Sequence, residues 1–233
     1  MRTVLSSRIS QIFFFLVFSI SCATFLPVAQ GKSKEKPKTF SFHLMGELYN
    51  LDPVFLRGSS GSYLFNNVYS SLYRYHSQKG LIPEGAKKCQ WLSHNKKTLR
   101  CILNTKMKWS NGEPVLAQHY LTTFRRIVDP AVKSVQSELL INLMNAKAIL
   151  SGKKSAKELG VSAPDAQTLM FRFAQVDHDF LYKLTYPSLA PIYKLPLVKR
   201  SNAQQLISNG PYVIQSWVPG QKIQLKRNSF YFK

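Results

Sequence analysis

The stretch WSNGEPVLAQHYLTTFRRIVDP, residues 109–130, decides how this chain is read. It reads as a strand end, a tight turn and an amphipathic helix. Asn111-Gly112 is a strong turn dipeptide, because both residue types tolerate the positive φ of a tight reversal. Leu116, Tyr120, Phe124 and Ile127 then recur at helical spacing. Asp129-Pro130 closes the helix, since the residue before a proline is pushed out of the α region. Any α+β domain can hold such a unit, so its neighbours carry the argument.

On its N-terminal side, residues 89–101 pattern as a hairpin turning at His94-Asn95-Lys96. That fold sets Trp91 opposite Leu99 and Cys89 opposite Cys101. Directly opposed antiparallel residues bring their Cβ atoms about 4.5–5.5 Å apart, which modest adjustment closes into a disulfide. An oxidising compartment favours the bridge; two reduced, buried cysteines are the alternative. Residues 103–109 read as the continuation of the sheet into the turn. Further upstream, residues 40–44 alternate as a first strand and residues 46–53 form a loop. Residues 63–73 look helical, with Leu64, Val68 and Leu72 on one face. The GSSGS string before them has Ser62 where a nucleophile elbow needs glycine, and no strand runs into it, so it reads as loop and helix start.

On the C-terminal side, residues 135–150 pattern as a second helix with Val135, Leu139, Leu143, Ala146 and Leu150 on one face. Residues 168–173 alternate, with Leu169, Phe171 and Phe173 facing one way. Asp177 is placed to cap a short helix through Leu184. Pro187, Pro191 and Pro196 break the chain into extended pieces. Residues 210–214 open a strand, and residues 217–225 read as a hairpin turning at Pro219-Gly220.

The chain's beginning speaks to location. Arg2 and Arg8 precede the apolar run 12–18, and Ala29-Gln30-Gly31 offers small residues at a cleavage site, the pattern of a secretory signal peptide over 1–31. The apolar run is too short to span a bilayer. Cys22 follows a small residue as in a lipobox and is the candidate for lipidation, although Ser19 stands where leucine is usual. The expected location is periplasmic or otherwise exported to the cell envelope. Residues 32–39, Lys-rich and carrying Pro37, read as a basic linker.

The chain has 233 residues, 32 basic and 11 acidic, for a net charge of +21. Removing residues 1–31 takes away Arg2 and Arg8 alone, leaving 30 − 11, or +19. The basic residues are scattered from end to end, and no zinc-finger, RNP or basic-zipper pattern accompanies them, so no nucleic-acid partner is expected. The five histidines are dispersed, with no HExxH or Cys/His metal pattern, P-loop or GxGxxG. Asp177 and Asp179 fit a helix start, and the loop pair Glu47 and Asp52 has no support as an acid–base couple. The sequence thus offers no catalytic residue, metal site or cofactor, and a binding function is the default.

Several segments together resemble one family, the bacterial extracellular solute-binding proteins of family 5, the oligopeptide- and dipeptide-binding components of ABC transporters. Leu51-Asp52-Pro53 is similar to its early "LDP". Residues 67–73 with Ile82-Pro83 resemble "LY…PxLA", and residues 91–103 its tryptophan-led hairpin. Residues 108–115, KWSNGEPV, are close to "kWsdGePv". Residues 145–169 resemble "NA..I..G….LGV.A.D..TL", residues 208–212 "GTGPY", and Trp217, Gly220, Asn228 and Tyr231 "W..G…rN..Y". Each motif is weak alone; the ordered set, covering residues 40–233, is specific. The chain departs from the pattern at Leu116-Ala117-Gln118-His119, where the family has "TAeD": the threonine cap and first-turn acids are missing, a loss on the order of 1 kcal/mol for the cap.

The resemblance implies an α+β or α/β fold, a periplasmic-binding-protein-like lobe (class II type) with a small inserted domain. It implies lobe segments at 40–53 and 167–233 and an accessory α+β domain at 54–166, with the second lobe absent, so that the expected binding component is a truncated one. It further implies a peptide ligand and ABC permease subunits as partners, and ligand-facing positions at Glu47, Tyr49, Asn50, Ser60 and Tyr63. Extended peptides are held chiefly through main-chain hydrogen bonds while pockets take varied side chains. Because members are about twice this long, another chain completing the lobe is also expected. The alternative reading is a degenerate secreted fragment, an interaction protein or basic envelope-surface binder with no peptide binding of its own.

Overall fold

Residues 109–128 fold as their pattern predicts. Gly112 takes the positive φ of the turn, at 89°, while Asn111 does not. Gly112 N–H donates to the Trp109 carbonyl at 2.9 Å, and the Phe230 ring lies where a Cβ on Gly112 would stand, so a side chain there meets both strain and an aromatic wall. The helix that follows, Ala117–Val128, buries Tyr120, Leu121, Phe124, Ile127 and Val128 along one stripe. Each such large apolar side chain contributes about 1.5–3 kcal/mol on burial. Asp129, extended before Pro130, ends it.

The computed structural model describes residues 44, 46, 48, 50–195 and 199–233, all within the compact unit His43–Lys233. The signal segment, the linker, Cys22 and the strand expected at 40–44, apart from Leu44, lie outside the described residues. In chain order the elements are α1 (Gly58–Val68), β1 (Tyr73–His76), β2 (Gly80–Pro83), β3 (Ala86–Trp91), β4 (Thr98–Leu103), α2 (Ala117–Val128), α3 (Ala146–Leu150), β5 (Val161–Asp165), β6 (Thr168–Arg172), α4 (Phe180–Lys183), β7 (Tyr212–Val218) and β8 (Lys222–Arg227). β1–β2 and β7–β8 are two-stranded ribbons, and the main sheet runs β3-β4-β6-β5, antiparallel throughout.

The inner face of that sheet makes the larger core. Leu99, Cys101, Leu169 and Phe171 alternate with outward residues and meet the apolar stripe of α2. Phe124 packs edge-on to Phe171 with ring centroids 5.4 Å apart, and Phe180 fits between Phe171 and Phe173. The β3–β4 register sets Trp91 opposite Leu99 and Cys89 opposite Cys101, and a disulfide joins the two cysteines. A smaller core gathers Leu48, Leu51, Leu56, Leu64, Phe65 and Val68 with Ala203, Leu206 and Ile214. Gly210 seals it: its N–H donates to the Val68 carbonyl at 2.9 Å, and a Cβ there would strike the Val68 backbone.

Four expectations are corrected. The helix starting at 63 begins at Gly58 and stops at Val68, and Leu72, though buried, precedes a strand. The sheet does not run through residues 103–109: β4 ends at Leu103, where Asn104 turns the chain by donating its N–H to the Gly85 carbonyl. The single helix at 135–150 is a 3-10 turn, Ser137–Leu140, and the short α3, parted by Asn145 at φ 67°. Between them Met144 N–H bonds the Arg172 carbonyl and Ala174 N–H the Asn142 carbonyl, so sheet-like pairing takes the groups a helix would use. The buried side is Leu140, Leu143, Ala146 and Ile149, while Val135 is exposed. Asp177 does not cap α4 with its side chain: its carboxylate receives Lys183 Nζ at 2.6 Å and Asn142 Nδ2 at 3.1 Å. α1 buries into the smaller core, and β6 completes the sheet of the larger one.

Candidate functional site

The approach to α1 is held from three sides. Asp52, 7% exposed, caps its own turn by accepting from Val54 N–H at 3.2 Å. Both its oxygens also receive the Arg126 guanidinium of α2, at 3.1 and 2.6 Å. Such a fork pairs two planar groups with geometric specificity as well as charge. Ser134 Oγ donates to the Val54 carbonyl at 2.6 Å, and Gln136 Nε2 to the Leu56 carbonyl at 2.8 Å. Burial, with the Asp52 charge beside it, pushes the Tyr69 phenol well above its usual pKa, so it stays neutral.

α1 then begins without a side-chain cap: its N-cap, Arg57, makes no capping hydrogen bond and its first turn has no acid. A helix start carries unsatisfied N–H groups and about half a positive charge. Around it lie the positions expected to face ligand. Ser60 is buried in the first turn, with the backbone of Gly46 nearby. Tyr63 is 56% exposed one turn on. Asn50 is exposed, but its Oδ1 accepts from Asp52 N–H at 2.7 Å, so it shapes the loop. Glu47 and Tyr49 lie outside the described residues. Sequence reasoning missed Arg126, Ser134 and Gln136, whose partners stand 74 and 80 residues away. An arginine in the last turn of a helix is explained locally by the helix dipole, so no short-range signal marks it.

Past Ser62 the same helix borders a polar cleft of about 550 Å³, lined by Asn66, Tyr69, Arg74, Glu84, Tyr186 and Tyr231. Glu84 accepts from Tyr231 Oη at 2.9 Å and from Lys233 Nζ at 3.0 Å. Burial first, then the Glu84 charge, pushes the Tyr231 pKa up to about 12. A third polar group sits where the family's helix cap is missing. His119 Nδ1 accepts from Leu116 N–H at 2.9 Å and from Trp109 Nε1–H at 3.2 Å. Tyr193 closes the cluster, its ring edge-on to Trp109 and its hydroxyl donating to Glu113 at 2.6 Å. Burial lowers the His119 pKa, with Glu113 opposing, which matches an unprotonated, accepting Nδ1. Among the described residues, no cluster of three or more His, Cys, Asp or Glu could hold a metal, and no helix is long and apolar enough to cross a membrane.

The described residues thus form a mixed α/β body with one four-stranded sheet, two cores and a helix start that has no side-chain cap. Residues 80–233 match the model of the bacterial extracellular solute-binding proteins, family 5 (middle part), and the chain belongs to that family, one of solute-binding proteins and not of enzymes. Among its relatives is the periplasmic oligopeptide-binding protein OppA of Salmonella typhimurium, 27% identical over 222 residues, covering 93% of this chain and 40% of that protein. Among solved structures, the unliganded open form of the periplasmic murein tripeptide-binding protein MppA superposes with a TM-score of 0.75 at 27% identity, covering 80% of this chain and 37% of that one. Haemophilus influenzae OppA in complex with RPPGFSPFR superposes at 0.73 and 28% identity, with the same coverage. The chain spans about two-fifths of the length of the curated relatives it matches.

Proposed function

We propose that this chain is an exported, oligopeptide-binding component of an ABC transporter, and that it presents peptide from the start of α1 to permease subunits. The observation that carries this reading is the uncapped first turn of α1, fixed to α2 and to residues 134–136 by the Asp52–Arg126 pair and two side-chain-to-carbonyl bonds. A site on rigid, cross-braced elements keeps its donors aimed without ordering them on binding. Open N–H groups suit the carbonyls or terminal carboxylate of an extended peptide. Ser60 and Tyr63 on the helix, with Glu47, Tyr49 and Asn50 on the preceding loop, are the contacts we assign. The smaller core is then the lobe and the larger one the accessory domain.

Isothermal titration with a pool of tri- to penta-peptides tests this. Heat is expected, with a rise in melting temperature, since ligand at a hundred times Kd stabilises by about 2.7 kcal/mol. A folded chain that gives neither at millimolar peptide overturns it. The companion reading, a second chain completing the lobe, is favoured by the β7–β8 ribbon, in which neither strand has another partner among the described residues. Concentration-dependent mass by light scattering tests that association.

A further inference from the structure

The outer face of the main sheet carries a line of cations that peptide binding does not use. In β3–β4 Lys88 stands opposite Ile102, and Gln90 opposite Arg100. In β4–β6 Ile102 stands opposite Thr168, Arg100 opposite Met170, and Thr98 opposite Arg172. Neighbouring Cys101, Leu103, Leu169 and Phe171 are buried in the core, so Lys88, Arg100, Ile102, Met170 and Arg172 share the opposite face. Each strand step therefore moves the cation one row: Lys88 on β3, Arg100 on β4, Arg172 on β6. Diagonal neighbours of this kind lie about 7–8 Å apart, so the three form one oblique line across three strands.

Nothing on the sheet neutralises this line. β3, β4 and β6 contain no acid, and Asp165 sits on the far edge strand, opposite Thr168. Among the described residues none of the three cations has an ion pair or a side-chain hydrogen bond. Among the described residues, half-buried Ile102 and Met170 belong to neither core. Lys96 and Lys97, in the β3–β4 turn beside exposed Leu92, extend the positive charge past the end of the line.

We propose that this diagonal docks a linear phosphodiester polymer of the cell envelope, of the poly(glycerol phosphate) type. A single oblique row of cations on neighbouring strands complements a single anionic strand. Two of the three are arginines, whose planar forks pair phosphate oxygens bidentately. The exported location expected from residues 1–31 puts such a polymer within reach. The surface is separate from the start of α1, so this docking holds whether or not the chain binds peptide.

The test is binding of poly(glycerol phosphate) to the purified chain across a salt series. Lys88→Gln/Arg100→Gln/Arg172→Gln is compared with Lys106→Gln/Lys153→Gln/Lys222→Gln, a triple with the same charge change at exposed positions off the line. The diagonal triple is expected to lose at least tenfold in affinity. The slope of log K against log salt should fall by about 2, since each phosphate contact on a single strand contributes about 0.7. The control triple should lose under twofold. Should the diagonal triple unfold, Lys88→Gln alone carries the test, with about a threefold loss against none for Lys106→Gln. Equal loss in diagonal and control variants overturns the proposal in favour of general charge. Tighter binding to phosphatidylglycerol vesicles than to the polymer overturns it in favour of a lipid surface.

Discussion

α1 and α2 both begin without a conventional N-cap, and the two solve the problem in opposite ways. At α2 the N-cap is Leu116, whose side chain offers no acceptor, but the Ala117 N–H is taken by the Ala166 carbonyl and the N–H of Leu116 itself by His119 Nδ1. That nitrogen also takes the Trp109 indole N–H, so the helix start is closed and tied to the turn before it. At α1 the N-cap Arg57 makes no capping bond, and of the first turn Gly58 and Ser59 are exposed while Ser60 and Gly61 are buried. A helix start that only holds a fold together is satisfied from within; one that receives a ligand keeps its donors open.

The sharpest way to break this contrast is to cut the pin between the two helices. Asp52→Ala leaves the Arg126 guanidinium largely buried, with no partner, and frees the turn that leads into α1. Breaking such a pair from one side costs about 3–5 kcal/mol, read as a lower midpoint in urea unfolding. The double variant Asp52→Leu/Arg126→Met should recover most of that loss, because replacing both charges leaves none unpaired. Stability recovered without recovery of peptide binding shows that the pin aims the α1 start; recovery of both shows that it only supports the fold.

His119 is the next lever. His119→Ala removes the side-chain acceptor at the α2 start and should cost about 1 kcal/mol. The same nitrogen makes the closed helix start sensitive to acid. Burial lowers the His119 pKa, so the folded chain takes up its proton less readily than the unfolded chain, which does so near pH 6.5. The imidazole's contribution is therefore full above about pH 6.5 and is lost as the pH falls through its folded value. His119→Gln keeps an acceptor at the capping-box position and cannot titrate there. Melting temperature measured from pH 7.5 to 5 should fall less in His119→Gln than in the wild type. Parallel curves would assign the acid limb to other groups.

How far the sequence carried the fold follows from range. The turn at Gly112, the α2 stripe, the Cys89–Cys101 register and the β7–β8 hairpin are all set within a few residues, and period and turn chemistry report them. The break at Asn145 was hidden, because what competes with the helix there is pairing to residues 172–174, distant in sequence. The Asp52–Arg126 fork was hidden for the same reason, since neither residue type announces a partner 74 positions away. The substitution at residues 116–119 read as wear, yet the imidazole takes over the acceptor's place: its reach is a property of rotamer and neighbour, which the letter H does not carry. For the proposed site, the motif order pointed to Ser60 and Tyr63, whereas no local signal points to the straps from Ser134 and Gln136.

The smallest effect isolates the open helix start. Arg57 has the extended backbone of an N-cap, φ −137° and ψ 141°, but its side chain lacks an acceptor. Arg57→Ser places a hydroxyl next to Gly58, which holds a positive φ of 67° at the helix start; where that hydroxyl bonds a first-turn N–H, stability should rise by about 0.5–1 kcal/mol, the usual worth of such a cap. If those N–H groups receive the peptide, the added hydroxyl competes for them, and affinity falls as stability rises. A scaffold helix would show the gain with no loss of binding, as a cap restored at α2 would. Opposite signs for unfolding midpoint and peptide Kd in one variant therefore mark α1 as the site, and equal signs return it to the scaffold.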